Sequence, residues 1–105
     1  MKIIGKTKEI CDKYNIKPAR SKGQNFLINE EVYEEIIKAA DLEKSDIVLE
    51  VGPGLGFLTE KLASRVKKVI AVELDDKLIK ILQDRLKKQG IRNVEVINGD
   101  ILKIS

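Results

Sequence analysis

Residues 47–59 of this chain read Ile47-Val48-Leu49-Glu50-Val51-Gly52-Pro53-Gly54-Leu55-Gly56-Phe57-Leu58-Thr59. An apolar run rich in β-branched residues ends at an acidic residue, and three alternating glycines then precede a helical pattern. The pattern predicts a buried parallel strand, a tight turn and a helix start, the arrangement in which a Rossmann-like sheet presents its backbone to a nucleotide-type cofactor. Glycine suits this turn because the backbone needs unusual φ and ψ angles, with positive φ expected at Gly54, and because a Cβ would keep a ligand away.

The sequence around this stretch alternates between strand and helix patterns. Strands are expected over 46–51, 69–74 and 94–97, and helices over 7–14, over 57–65, over 76–88 and from an Asn29 cap to Ala40. This β-α-β-α-β order predicts an α/β fold, the first half of a doubly wound sheet in the spatial order three, two, one. We divide the chain into an extension, residues 1–28, and the first half of a Rossmann-like domain, residues 29–105. Because a fourth strand is absent, residues 46–51 are expected to form an exposed edge through which two copies could associate.

The composition limits the class of protein. A chain of 105 residues with 43% hydrophobic and 4% aromatic residues can form one small domain with an aliphatic core. One cysteine and no histidine exclude an internal disulfide and argue against a zinc site, so we predict no metal. No apolar run reaches the length of a membrane span, which predicts a cytoplasmic protein without a membrane partner.

The positive charge is concentrated at the amino terminus. Residues 1–23 hold seven basic and two acidic side chains, whereas the rest of the chain carries a small negative balance. Such a basic arm suggests a polyanionic partner, most commonly nucleic acid, although a solvated lysine-rich tail is an equal alternative on charge alone.

Three features follow the three expected strands: the glycine turn, Glu73 and Asp100. Carboxyl ends of parallel strands share one edge of a sheet, so these groups are predicted to face one ligand. Glu73 could accept hydrogen bonds from both hydroxyls of a ribose, and Asp100 could accept one from the amine of a base. The alternatives are a solvated strand-end charge for Glu73 and a turn residue or helix cap for Asp100.

NAD and S-adenosylmethionine both fit a glycine turn followed by an acidic strand end. The spacing Gly-x-Gly-x-Gly departs from the dinucleotide pattern, and Pro53 removes a backbone donor that a phosphate would need. A negative charge at Glu50 would repel a pyrophosphate and attract a sulfonium or ammonium group. These details favour the methyl donor.

The chain resembles the ribosomal RNA adenine dimethyltransferases. The resemblance extends from about Lys17 to the end, and it rests on Gly-Gln-Asn-Phe-Leu at 23–27, the glycine turn, Val-Glu-Leu-Asp at 72–75 and Gly-Asp-Ile at 99–101. The combination is specific for this family, and the housekeeping branch matches better than the related antibiotic-resistance enzymes.

The resemblance implies transfer of two methyl groups from S-adenosylmethionine to the exocyclic amine of adenosines in small-subunit ribosomal RNA. The cofactor residues that it implies are Asn25, Leu27, Gly52, Gly54, Gly56, Glu73, Asp100 and Ile101. For RNA, the basic side chains that we select are Lys13, Lys17, Arg20 and Lys22.

The catalytic Asn-Leu-Pro-Tyr type segment of the family, which follows its fourth strand, does not occur in these 105 residues, so no catalytic residue is assigned and the chain alone is expected to be inactive. The whole enzyme is expected to be a monomer that acts on this RNA or on a ribosome precursor. The alternatives are a non-catalytic cofactor- or RNA-binding module and half of an NAD-dependent oxidoreductase.

Overall fold

The main sheet is parallel and has four strands. The computed structural model describes residues 2–4, 19–21, 24–26 and 30–103, and the side chains of residues 33–103. The strands of the sheet lie in the order β1-β4-β5-β6, with bounds Lys2–Ile4 for β1, Ile47–Val51 for β4, Lys68–Glu73 for β5 and Val94–Asn98 for β6. The order β6, β5, β4 confirms the predicted order three, two, one. A separate antiparallel hairpin pairs β2 with β3, over Ala19–Ser21 and Gln24–Phe26.

Three α-helices and one short 3-10 helix connect or follow these strands. Their bounds are Glu30–Ala40 for α1, Phe57–Ala63 for α2, Asp76–Lys88 for α3 and Ile101–Lys103 for the 3-10 helix. α3 begins where the sequence predicts, because the carboxylate of Asp75 accepts hydrogen bonds from the N–H groups of Lys77 and Leu78. It ends before Gly90, whose φ of 68° is the left-handed conformation typical of a helix end.

Several predicted bounds shift by one or two residues. β5 ends at Glu73, and Leu74, predicted as its last residue, is 68% exposed. α2 ends at Ala63, two residues earlier than predicted. The predicted helix over 7–14 and the Asn29 cap lie outside the described residues.

The prediction that residues 46–51 form an exposed edge is wrong. β1 pairs with β4 in parallel and places Lys2, Ile3 and Ile4 opposite Val48, Leu49 and Glu50. The unpaired N–H and C=O groups of an apolar strand are a template for any nearby strand, and two isoleucines at the start of the same chain can satisfy them. The pairing occupies this edge within one chain, and the expected association of two copies stays a prediction.

The core lies between one face of the sheet and the helices. Val48 of β4 and Val69 of β5 belong to a buried cluster with residues of α1 and α2, and Ala71 packs with Leu82 and Leu86 of α3. On the opposite face Ile47, Leu49 and Ile70 are only half-buried, whereas Val72 is buried. The nearly all-apolar sequence of β5 predicts that other residues bury both faces of this strand. Among the described residues, this burial is only partial.

Candidate functional site: a glycine loop and two buried carboxylates

The loop between β4 and α2 contains three glycines with positive φ. The angles are 72° at Gly52, 61° at Gly54 and 92° at Gly56, a region that other L-residues rarely adopt. The positive φ predicted for Gly54 is confirmed. The loop therefore needs glycine for its backbone conformation before any ligand is considered.

Both neighbouring loops are attached to the end of β5. The N–H of Gly52 donates to the carbonyl of Val72 at 2.9 Å, and the N–H of Gly99 donates to the carbonyl of Glu73 at 3.0 Å. The glycine loop, Glu73 and the segment that leads to Asp100 consequently meet at the carboxyl edge of the sheet. The predicted convergence of these three features is present in the structure.

The N–H groups of the loop are largely occupied within the protein. In addition to the bond from Gly52, the N–H of Gly54 donates to Glu73 Oε1 at 3.2 Å, and the N–H of Gly56 donates to the carbonyl of Pro53 at 3.0 Å. Pro53 has no N–H to offer. The loop is thus poorly suited to a pyrophosphate, which would need several free donors.

Gly56 also has a packing role that the sequence does not reveal. A Cβ at this position would lie 2.3 Å from Cδ1 of Leu82, which is fully buried in α3. The absence of a side chain therefore lets the start of α2 approach α3. The cofactor contact predicted for Gly56 stays a prediction.

Glu73 is a buried carboxylate held by two backbone donors. It is 7% exposed, Oε1 accepts from Gly54 and Oε2 accepts from the N–H of Asp75 at 2.9 Å. Each oxygen retains a second lone pair for another donor. The carboxylate is thus fixed in orientation at the end of β5, and the alternative of a solvated strand-end charge does not describe it.

Asp100 and Ile101 follow β6 at the same edge. Asp100 Oδ1 accepts from the N–H of Leu102 at 2.9 Å, so its carboxylate caps the 3-10 helix. This is the cap alternative that the sequence analysis allowed, and it leaves Oδ2 available to a ligand. Asp100 and Ile101 are both half-buried.

Leu74 is a site candidate that the sequence analysis missed. The sequence analysis made Leu74 the last residue of β5. In the structure it follows the end of this strand, between Glu73 and Asp75, and it is exposed. An exposed apolar side chain next to the carboxylate predicted to bind a ribose is a suitable contact for a planar base. The sequence feature that could have identified Leu74 is an apolar residue directly after the acidic residue at the end of a strand.

Glu50, whose negative charge the sequence analysis set just before the loop, is buried and only 2% exposed. The hydroxyl of Thr59, which is fully buried in α2, donates to Glu50 Oε1. Burial raises the pKa of Glu50 to about 7, against the hydrogen bond from Thr59, and the nearby charge of Glu73 adds to the rise. Burial therefore disfavours the ionised form of this carboxyl group and reduces the negative charge that the sequence analysis assigned to Glu50.

The remaining predicted residues belong to the amino-terminal part of the chain. Arg20 and Asn25 are register partners in β2 and β3, so one RNA candidate and one cofactor candidate are opposite each other in the backbone. The residues that fall outside the described part of the chain are Lys13, Lys17, Lys22 and Leu27.

The described residues offer neither a metal site nor a membrane-spanning helix. They contain no group of three or more His, Cys, Asp or Glu side chains that could hold a metal ion. Among the described helices, none combines the length and the apolar character needed to cross a bilayer.

Comparison with known proteins identifies the class. Residues 15–105 match the family described as Ribosomal RNA adenine dimethylase. The chain is 50% identical over 98 residues to the Ribosomal RNA small subunit methyltransferase A of Clostridium botulinum (strain Loch Maree), covering 93% of this chain and 35% of that protein. The chain thus spans about a third of the length of the curated relatives that it matches.

Two solved structures are similar in both fold and sequence. A dimethyladenosine transferase from Plasmodium falciparum has a TM-score of 0.70 and 42% identity, with 73% of this chain and 28% of that chain covered. The 23S rRNA methyltransferase ErmE has a TM-score of 0.71 and 40% identity, with 77% and 32% covered.

The parallel sheet, the glycine loop and the acidic end of β5 define a Rossmann-like domain of the methyltransferase class, the fold shared with the two solved structures. Within that class, the chain belongs to the ribosomal RNA adenine dimethylase family. The resemblance stated from the sequence is confirmed.

Proposed function

We propose that this chain is the cofactor-binding part of an enzyme that dimethylates the exocyclic amine of adenosines in small-subunit ribosomal RNA. The observation that carries the proposal is the carboxylate of Glu73, which is buried, oriented by two N–H groups and located between the glycine loop and the Asp100 segment. The family and the similar structures support the methyl-transfer chemistry.

In this proposal the cofactor is S-adenosylmethionine, which supplies an activated methyl group on a sulfonium. The free lone pairs of Glu73 accept the ribose hydroxyls, and Oδ2 of Asp100 accepts the exocyclic amine of the adenine. Leu74 and Ile101 provide apolar contacts to the ring. Asn25, Leu27 and the loop glycines contact the methionine part, as the family resemblance implies.

The RNA partner is proposed from charge. The basic arm, residues 1–23, has a balance of +5, and a polyanion such as small-subunit ribosomal RNA or a ribosome precursor complements it. An enzyme with this substrate works in the cytoplasm, and we propose that location.

An NAD-dependent oxidoreductase is the second candidate, and the loop argues against it. Three glycine N–H groups are already bonded within the protein, and a buried acid lies behind the loop. Both features disfavour a pyrophosphate and are compatible with a cationic cofactor. A non-catalytic binding module would show the same cofactor affinity, and methyl transfer to RNA by the whole enzyme would distinguish it.

The test is calorimetric titration of the chain with S-adenosylmethionine and, separately, with NAD. We expect the first to bind and the second not, and we expect Glu73→Ala to weaken binding at least tenfold because charge-assisted hydrogen bonds to the ribose are removed. Glu95→Ala is the matched control, since Glu95 is an exposed strand carboxylate that only pairs with Lys68 at 3.8 Å. Binding of NAD instead, or equal affinities for the Glu73 and Glu95 variants, would contradict the proposal.

A further inference from the structure

Two carboxylates are buried on adjacent strands without a cationic partner among the described residues. Glu50 and Glu73 lie near the ends of β4 and β5, and they are 2% and 7% exposed. All five ion pairs between described residues involve other carboxylates. Buried charges in proteins are normally paired, so this arrangement leaves the site with unbalanced negative charge.

Within the part of the chain that the structure describes, the elements packed around Glu50 give it one polar contact and one neighbouring charge. β1 and β5 place Ile4 and Ala71 opposite it, and α2 supplies the neutral hydroxyl of Thr59. The nearby charge is that of Glu73, which is also negative. Among the described residues, therefore, no group offsets a charge on Glu50.

The two carboxyl groups differ in their hydrogen-bond donors. Glu73 accepts from two backbone N–H groups, which can donate but not accept. The Thr59 hydroxyl can donate to a carboxylate or accept from a carboxylic acid, so Glu50 keeps this contact in either state. Of the two, Glu50 is the group that can exchange a proton without losing its hydrogen bond.

We propose that Glu50 is a specificity-determining residue of the cofactor site, at which a positively charged ligand replaces a proton. In the ligand-free protein the carboxyl group is partly protonated; when a cationic ligand binds, the carboxyl group ionises, and the proton passes to solvent. The inference rests on the proposed function, because S-adenosylmethionine carries two positive groups, a sulfonium and an ammonium. A ligand without a cation would displace no proton.

The test is calorimetry at pH 6, 7 and 8 in buffers of different ionisation enthalpy. With a pKa of about 7 in the free protein, we expect the Kd for S-adenosylmethionine to fall about tenfold between pH 6 and pH 8, and about half a proton to be released at pH 7. 5′-Methylthioadenosine has neither cation and should show no proton release. S-Adenosylhomocysteine keeps only the ammonium. If it shows the same pH dependence and proton release as S-adenosylmethionine, the ammonium is the group that Glu50 senses. If it shows neither, the sulfonium is that group.

Glu50→Gln is the essential control. The α-amino group of the ligand titrates near pH 8, and this variant preserves that titration while it removes the carboxyl. We expect weaker binding and no proton released from the protein, and in Thr59→Val we expect the pH response to move to higher pH because a hydrogen bond that favours the ionised form is gone.

A ligand-independent measurement completes the test. A carboxyl whose folded pKa is raised stabilises the folded state at low pH, and that stability is lost as the pH rises through the folded value. The free energy of unfolding of the ligand-free chain should therefore decrease from about pH 5 to pH 8, and less so in Glu50→Gln.

The outcomes separate the two proposals. If S-adenosylmethionine binds with the same pH response and proton release in the chain and in Glu50→Gln, this inference is overturned and the proposed function stands. If S-adenosylmethionine binds at no pH, the proposed function fails.

Discussion

At Gly56 the backbone conformation and the packing of α2 against α3 both require a residue without a side chain. The residue has a φ of 92°, and a Cβ would lie 2.3 Å from Cδ1 of Leu82. The contact is with a fully buried side chain, so it cannot be relieved by a small movement into solvent.

We expect Gly56→Ala to lower the free energy of unfolding by about 2–4 kcal/mol, the sum of backbone strain and overpacking. Gly90→Ala is the matched control, because Gly90 has a φ of 68° and nothing within 4 Å of an added Cβ, and it should cost only about 1 kcal/mol. Urea unfolding measures both. In a Leu82→Val background the penalty at Gly56 should shrink, since the clashing methyl is absent.

Equal costs for the two glycine variants would show that backbone strain alone excludes a side chain at Gly56. The same result would remove the packing role that the structure assigns to this residue.

Among single residues, the sequence could locate the site but not its internal contacts. Spacing along the chain was enough to place Glu73 at a strand end and to predict positive φ for Gly54. It did not reveal that Glu50 is buried against Thr59, because that contact depends on how α2 packs on β4. Periodicity shows which side of an element faces inward, and the side chains that meet there depend on packing between elements.

At the level of elements, α2 and α3 are joined by a partly buried polar cluster. Arg85 pairs with Glu60, Gln89 donates to the same carboxylate at 2.8 Å, and the guanidinium lies 4.5 Å from the centre of the Phe57 ring. Arg85 Nε is buried without a hydrogen-bond partner among the described residues. The pair holds the helix that follows the glycine loop against the next helix along the chain.

We expect Glu60→Ala to destabilise the fold by about 1–3 kcal/mol, because Arg85 would lose its only anionic partner within the described residues. Asp84→Ala removes an exposed partner of Lys88 and should cost less than about 0.5 kcal/mol. Urea unfolding of the two variants gives the comparison. Similar small effects would mean that the α2–α3 pair contributes no more than a surface ion pair.

The long elements were predictable and the short ones were not. α3 and the strands β4, β5 and β6 carry strong periodic or apolar patterns, and their positions are within two residues of those predicted. β1 has three residues, too few for a pattern, and it forms because β4 offers an unpaired edge. That requirement belongs to the assembled sheet and is not visible in the local sequence.

For the molecule as a whole, the distribution of charge separates two regions. The basic arm is strongly positive, whereas the remaining residues carry a small negative balance. If the arm contacts RNA phosphates, each lysine that does so releases counterions and steepens the dependence of binding on salt.

We expect the double variant Lys13→Gln and Lys17→Gln to reduce the slope of log Kd against log salt by roughly 0.7 for each phosphate of single-stranded RNA that is no longer neutralised. Substitution is preferable to deletion of the arm, because the arm contains β1. Lys80→Gln with Lys87→Gln is a control of equal charge on the exposed surface of α3. Binding of a ribosomal RNA fragment across a salt series measures the slopes. Identical slopes for both double variants would favour the alternative that the arm is a solvated tail.

The pairing of β1 with β4 has a consequence for the order in which the chain becomes structured. Lys2 and Val48 are 46 positions apart, so this contact closes a long loop at an entropic cost of about 3 kcal/mol. A three-residue strand returns only a few hydrogen bonds, whereas β4, β5 and β6 are joined through short crossovers and share a core. We therefore expect β1 to dock on β4 last and to leave it first, so that the edge of β4 opens while the rest of the sheet remains intact.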